Sequence, residues 1–211
     1  MVIFYHMGFD TFSGGYVGVD IFFVISGYLI TSNITDRLKS GSFSFSDFYI
    51  RRLRRLIPAL LFTYLFVLVC GFLLLSIEHY SRLGQSTVYA IFAISNFYFW
   101  SESGYFDSLA NIKPLLHLWS LAVEEQFYLV WPTLLLILYK IKEVRYQYSL
   151  LLFLSLVSLL ASEYYLKIDP DAVFYLAPFR VFEFTIGASL LWFEKKQNRK
   201  KVFFLYYSFW V

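Results

Sequence analysis

The chain has 211 residues, of which 59% are hydrophobic, 23% aromatic and only 16% charged. A soluble domain carries about a quarter of its residues as charges, so a water-exposed globule is excluded and a polytopic membrane protein is expected. The net charge of +3 says little by itself and gives no reason to expect a nucleic-acid partner, and a single cysteine, Cys70, excludes a disulfide framework.

In chain order, Met1–Met7 is apolar but lacks a basic n-region and a small-residue cleavage site. It reads as the tail of a span whose beginning is absent. The first full span is Tyr16–Ile34, with Gly14, Gly15, Gly18 and Gly27 around and inside it and Asp20 just within. No strand precedes these glycines, so they are no dinucleotide fingerprint; in membrane helices they let backbones approach closely. The second span is Leu56–Ile77, with Pro58 placed in its first turn and Cys70 read as a packed small residue. Gln85–Trp100 has sixteen residues, including Ser86, Thr87, Ser95 and Asn96, and is expected to be re-entrant or interfacial. Leu115–Tyr139, Gln147–Leu166 and Ala172–Phe193 are further spans. Val202–Val211 is ten apolar residues, too few to cross about 30 Å of hydrocarbon. These lengths indicate helices rather than short alternating strands. The expected fold is an all-α polytopic transmembrane helix bundle, a single incomplete domain over 1–211, cut at both ends.

Basic residues concentrate in Asp36–Arg55, Lys140–Arg145 and Lys195–Lys201. If Gln85–Trp100 does not cross, all three segments lie on one side, and the other side keeps only Arg82, Lys113 and Lys167. The positive-inside rule favours that arrangement, with the basic side cytoplasmic. His6, Asp20 and His117 then lie near the outer leaflet, and Glu124 roughly 10 Å deeper than His117.

An ionisable group inside a span costs on the order of 2.5–3.5 kcal/mol on insertion scales. His6, Asp20, His117, Glu124, Glu125, Arg180 and Glu183 are therefore expected to turn inward. His117 and Glu124 are seven apart and share a helix face, whereas Glu125 is rotated about 100° from Glu124. Arg180 and Glu183 are three apart, a spacing that allows an intrahelical ion pair. The expectation is one polar chamber near the outer leaflet. Arg51, Arg52, Arg54 and Arg55 have two readings: topology anchors at the start of a span, or guanidiniums that hold phosphates of a cytoplasmic ligand. No cluster suggests a metal site.

Four stretches, "GGYVGVDIFFVISGYLIT", "FYIRRLRRLIPAL", "PLLHLWSLAVEEQFYLVWP" and "FRVFEFTIGA", resemble the membrane acyltransferase-3 family in order and spacing across nearly the whole chain. The resemblance implies a bacterial multi-pass protein of the cytoplasmic membrane, with about ten helical spans. It implies an O-acyltransferase that takes an acyl group, commonly acetyl, from cytoplasmic acyl-CoA. The acceptor would be a glycan hydroxyl outside: lipopolysaccharide O-antigen, peptidoglycan or another surface polysaccharide. Membrane lipid surrounds such a protein, and some members carry an extracytoplasmic hydrolase-like domain as a partner. His6 falls on the family's histidine; Arg51, Arg52 and Arg55 on its basic motif; His117, Glu124, Glu125 and Gln126 on the "HxWSLxVEEQ" type of motif; Arg180 and Glu183 on the "FRxxE" type. The family's arginine eleven residues before that histidine has no counterpart, because only five residues precede His6.

On this resemblance His6 is the expected base for the sugar hydroxyl. Asp20 or Glu124 would orient an imidazole, and Arg180 or His117 would stabilise the oxyanion. Arg51, Arg52 and Arg55 would bind the donor's phosphates. Acyl-CoA is a co-substrate, and no metal is expected. The residues alone leave two alternatives open: a transporter of a lipid, sugar or acyl carrier without chemistry, and an inactive remnant.

Overall fold

The computed structural model describes residues 14–103, 112–141 and 143–194. Among them are eight α-helices and no strand. Helix α1 (Gly18–Lys39) follows a 3₁₀ turn at Gly15–Val17 and buries one stripe, Phe23, Ser26, Gly27, Ile30, Thr31 and Ile34, at spacings of three and four. Helix α2 (Phe45–Leu74) starts eleven residues before the expected Leu56. The Ser44 hydroxyl accepts from the Asp47 N–H, capping the helix ahead of the arginines. Arg51–Arg55 is thus helical, and Pro58 sits in a helix interior rather than a first turn.

The expected segment Gln85–Trp100 straddles two helices. Helix α3 (Ile77–Ile91) is capped by Ser76, and α4 (Ser95–Glu102) follows a turn in which Ala93 has φ 55°. The two run antiparallel: the Tyr98 hydroxyl donates to the Arg82 carbonyl at 3.3 Å, and the Tyr89 and Tyr98 rings are 5.0 Å apart.

Helix α5 (Leu118–Lys140) is central and burdened with aromatic residues: Trp119, Phe127, Tyr128 and Trp131 are all buried. Helix α6 (Val144–Tyr165) precedes a broken segment where Ala172–Phe193 reads as one span. There α7 (Pro170–Tyr175), a 3₁₀ turn (Ala177–Phe179) and α8 (Val181–Glu194) follow in turn. Pro170 starts α7 and Pro178 lies in the 3₁₀ turn, each lacking the N–H that would continue a helix. The backbone groups freed by the break are satisfied from α6. Ser158 Oγ donates to the Pro178 carbonyl at 2.7 Å and accepts from the Phe182 N–H, while Ser162 Oγ donates to the Phe179 carbonyl at 2.7 Å.

Helices α1, α2, α5 and α6 are long and apolar enough to cross a membrane. Cross-helix contacts fix their directions. Ser26 meets Glu124 and Thr31 meets Trp131, so α1 and α5 are parallel. Arg52 meets Glu125 and Tyr49 meets Leu129, so α2 opposes α5. Asp20 meets Arg180 and Gly27 meets Phe184, so α8 runs with α1. The Lys39, Phe45 and Lys140 ends therefore share one end of the bundle. The α3–α4 hairpin leaves from and returns to the other.

Candidate functional site

Two polar networks lie along α1. The first joins three elements. Arg180, held between the 3₁₀ turn and α8, places Nη1 3.1 Å from Asp20 Oδ1 and 2.8 Å from Glu183 Oε1. Its Nε donates to the Phe174 carbonyl at 3.2 Å, and the guanidinium carbon lies 5.4 Å from the Phe174 ring and 5.9 Å from Trp119. The Ser158 and Ser162 bonds to the break in the helix set this arginine's position. Glu183 is buried, and its Oε2 has no hydrogen-bond partner. Two carboxylates share one guanidinium here, so the group holds either one uncompensated negative charge or a proton. A cleft of about 360 Å³ is lined by Asp20, Arg180 and Glu183 together with the apolar Ile21, Val24 and Ile186.

The second network lies deeper along α5. The consecutive residues Glu124, Glu125 and Gln126 step round the helix by about 100° each and meet three different neighbours. Glu124 Oε1 accepts from Ser26 Oγ of α1 at 2.6 Å and from the Tyr128 hydroxyl. Glu125 Oε1 pairs with Arg52 Nη2 of α2 at 3.1 Å, and the Arg52 guanidinium stacks on the Tyr128 ring at 3.3 Å. Gln126 Nε2 donates to Asn96 Oδ1 at 2.8 Å and to the Ala93 carbonyl at 2.9 Å, which pins the α3–α4 turn. Asn96 Nδ2 in turn donates to the Tyr175 carbonyl at 3.2 Å.

An aromatic layer separates the networks. Phe23, wholly buried between Asp20 and Ser26, stacks on Phe184 at 4.7 Å and meets Trp119 edge-on at 6.2 Å. Phe184 stacks in turn on Phe127 at 4.1 Å. The single chamber expected from the sequence is therefore divided in two. Asp20, Arg180 and Glu183 come together; Glu124 belongs with Ser26 and Tyr128 instead, and neither Asp20 nor Glu124 takes an imidazole partner among the described residues. His117 immediately precedes α5, its side chain exposed, and its carbonyl accepts from Ser120 Oγ at 3.1 Å. It shares no bond with Glu124, which lies two helical turns further along α5 and bonds Ser26 and Tyr128. His6 lies outside the described residues. Of the basic motif, only Arg52 turns inward; Arg51 and Arg55 are exposed.

The residues missed by sequence reasoning are Ser26, Tyr128, Asn96, Ser158 and Ser162. Ser26 had a usable signal, since it stands on the same α1 stripe as Phe23 and Gly27. The α6 serines had none, as they look like any serines in an apolar helix. Among the described residues no group of three or more His, Cys, Asp or Glu is placed to hold a metal.

The family model of the acyltransferase domain, acyltransferase-3, matches residues 1–211. The chain is 39% identical to "Peptidoglycan O-acetyltransferase OatA" of Listeria monocytogenes, over 90% of this chain and 31% of that protein. It is 42% identical to "O-acetyltransferase OatA" of Staphylococcus aureus, over 75% of this chain and 26% of that protein. An uncharacterized protein of Haemophilus influenzae is 36% identical, over 86% of this chain and 76% of that protein. The chain thus spans about a third or less of the length of the two named O-acetyltransferases. No solved structure matches it. On a match that covers every residue, the chain belongs to the acyltransferase-3 family.

Proposed function

We propose that the protein is a membrane O-acetyltransferase that moves an acetyl group from acyl-CoA, bound at the Arg51 end of the bundle, to a hydroxyl of a surface glycan. Peptidoglycan is the acceptor favoured by the relatives' names. The observation that carries the reading is the Asp20–Arg180–Glu183 group, one guanidinium shared by two carboxyl groups across a break in a membrane helix, in a chain of this family. A purely structural pair would not need the second carboxyl group or the cleft beside it.

In the reaction the sugar oxygen attacks the thioester carbonyl. The new C–O bond forms, the C–S bond breaks, and the hydroxyl proton passes through a base to the departing thiolate. His6 is the proposed base. Arg180, held by Asp20, Glu183, Phe174 and Trp119, is the proposed donor for the oxyanion. Arg51, Arg52 and Arg55 are the proposed ligands of the donor's phosphates. The basic end of the bundle is the proposed cytoplasmic side of a bacterial cytoplasmic membrane.

The test is mass analysis of peptidoglycan and surface polysaccharide from cells with and without the gene. Ester-linked acetyl groups should disappear in its absence. They should return with the wild-type gene and fail to return with His6→Ala at equal protein level. Unchanged esters with altered glycan export would replace this reading by a transporter, and esters retained in His6→Ala would remove His6 from the chemistry.

A further inference from the structure

Helix α7 has six residues, fewer than two turns. A helix that short does not hold itself in place, so its position comes from what it touches, and it packs more on α4 than on α5 or α6. Two side chains of α4 make the tie. At the start of α7 the Trp100 indole N–H donates to Asp169 Oδ2 at 3.0 Å, while Asp169 Oδ1 caps the helix by accepting from the Ala172 N–H. At the other end Asn96 Nδ2 donates to the Tyr175 carbonyl at 3.2 Å. Asn96 is wholly buried, and its amide is oriented by Gln126, whose Nε2 donates to Asn96 Oδ1 at 2.8 Å.

The last carbonyls of a helix have no partner inside it. In α7 two consecutive ones are taken by side chains from different elements. Tyr175 accepts from Asn96, and Phe174 accepts from Arg180 Nε at 3.2 Å. With Nε held there, Nη1 of the same planar group reaches Asp20 at 3.1 Å and Glu183 at 2.8 Å. The Trp119 ring, 4.5 Å from Phe174 and 5.6 Å from Tyr175, packs on the same end of α7. The α3–α4 hairpin is thus joined to the arginine through a single peptide unit.

We propose that Asn96 is a positioning residue for Arg180: from the α3–α4 hairpin it fixes the Phe174–Tyr175 end of α7, and with it the carbonyl that aims the guanidinium. The inference rests on the oxyanion role of Arg180 proposed above and extends it to a residue that touches neither Arg180 nor substrate. A misplacement of about 1 Å far from the chemistry can cost on the order of a hundredfold in rate, so this support matters as much as the arginine's own contacts.

The test is acetyl transfer from acetyl-CoA to peptidoglycan fragments by the intact gene product in membranes, at protein levels matched by immunoblot. Asn96→Leu should lower kcat by about tenfold or more, with KM for acetyl-CoA within about twofold of wild type. Trp100→Phe frees the end of α7 remote from Arg180 and should lower kcat by less than about threefold. Equal losses in the two variants would mean that α4 merely packs against α7, and overturn the inference. Where Asn96→Leu does not accumulate, Asn96→Ser, one bond shorter, takes its place with the same outcomes. A cycle with Arg180→Lys then asks whether Asn96 acts through the arginine. In the Arg180→Lys background Asn96→Leu should change transfer by less than about twofold; a further tenfold loss overturns the inference. Wild-type transfer by Arg180→Lys would overturn the oxyanion role itself. In that case, or where Arg180→Lys is inactive, melting midpoints of the same four proteins decide the positioning: shifts smaller than their sum support it, and additive shifts overturn it.

Discussion

Gly27 of α1 faces the backbone of Phe184 in α8 so closely that a Cβ at Gly27 would overlap the Phe184 carbonyl. Gly187 repeats the contact in the other direction, against the Val24 carbonyl. The two helices touch main chain to main chain, as small residues in membrane helices permit. In an open helix Gly→Ala stabilises by roughly 0.5–1 kcal/mol. Here Gly27→Ala should instead destabilise by about 1–3 kcal/mol, the usual cost of overpacking. Thermal unfolding of the detergent-solubilised protein checks the sign, and a midpoint above wild type would contradict the contact.

The Trp131 indole N–H donates to Thr31 Oγ1 at 2.7 Å, and that hydroxyl donates onward to the Gly27 carbonyl at 2.6 Å. Both residues are buried. Thr31→Val keeps the shape and strands the indole N–H, which should cost about 1–3 kcal/mol. Thr31→Ser keeps both bonds and should cost less. The ordering of the two melting midpoints is the measurement; equal midpoints would show the bond adds nothing.

Removing Arg180 leaves Glu183 and Asp20 without their shared cation. Arg180→Met should lower stability by about 3–5 kcal/mol, the range for breaking a buried ionic group from one side, and should reduce the amount of protein in the membrane. Adding Asp20→Asn and Glu183→Gln removes the stranded charges and should restore much of that amount. On the function proposed above, acetyl transfer should stay lost in the triple variant. Immunoblot and glycan ester content, read on the same cells, separate the structural effect from the chemical one.

Because α3 and α4 form a hairpin, the loops at Ser42 and Glu143 lie at one end of the bundle and Glu78 and Lys167 at the other. With Cys70→Ser as background, Glu78→Cys and Lys167→Cys should react with an impermeant maleimide on intact spheroplasts. Ser42→Cys and Glu143→Cys should react only after permeabilisation. Labelling of Ser42→Cys and Glu143→Cys from opposite sides would mean that Gln85–Trp100 crosses after all.

Much of this architecture was legible in the sequence because membrane spans announce themselves by length and apolarity. What escaped has identifiable reasons. The early start of α2 was hidden by four arginines that read as a loop, whereas their long stems are compatible with a helix capped at Ser44. The α3–α4 turn was hidden because its left-handed residue is Ala93, not a glycine or asparagine. The break before α8 did have a signal in Pro170 and Pro178, which a hydropathy count overlooks. At the site, spacing within one helix was enough for Arg180–Glu183, now a 2.8 Å pair. It could not supply partners on other helices. Arg52 on Glu125, Ser26 on Glu124 and Asn96 on Gln126 join residues that are 73, 98 and 30 positions apart.

The run Glu124-Glu125-Gln126 sends three adjacent side chains to α1, α2 and α4, each reached only by its own rotation about the α5 axis. Such a junction is more vulnerable to a frame-preserving insertion than to any single exchange. One extra residue between Trp119 and Glu124 would swing every one of them by about 100°, present each to the wrong neighbour, and undo three interfaces with a single codon.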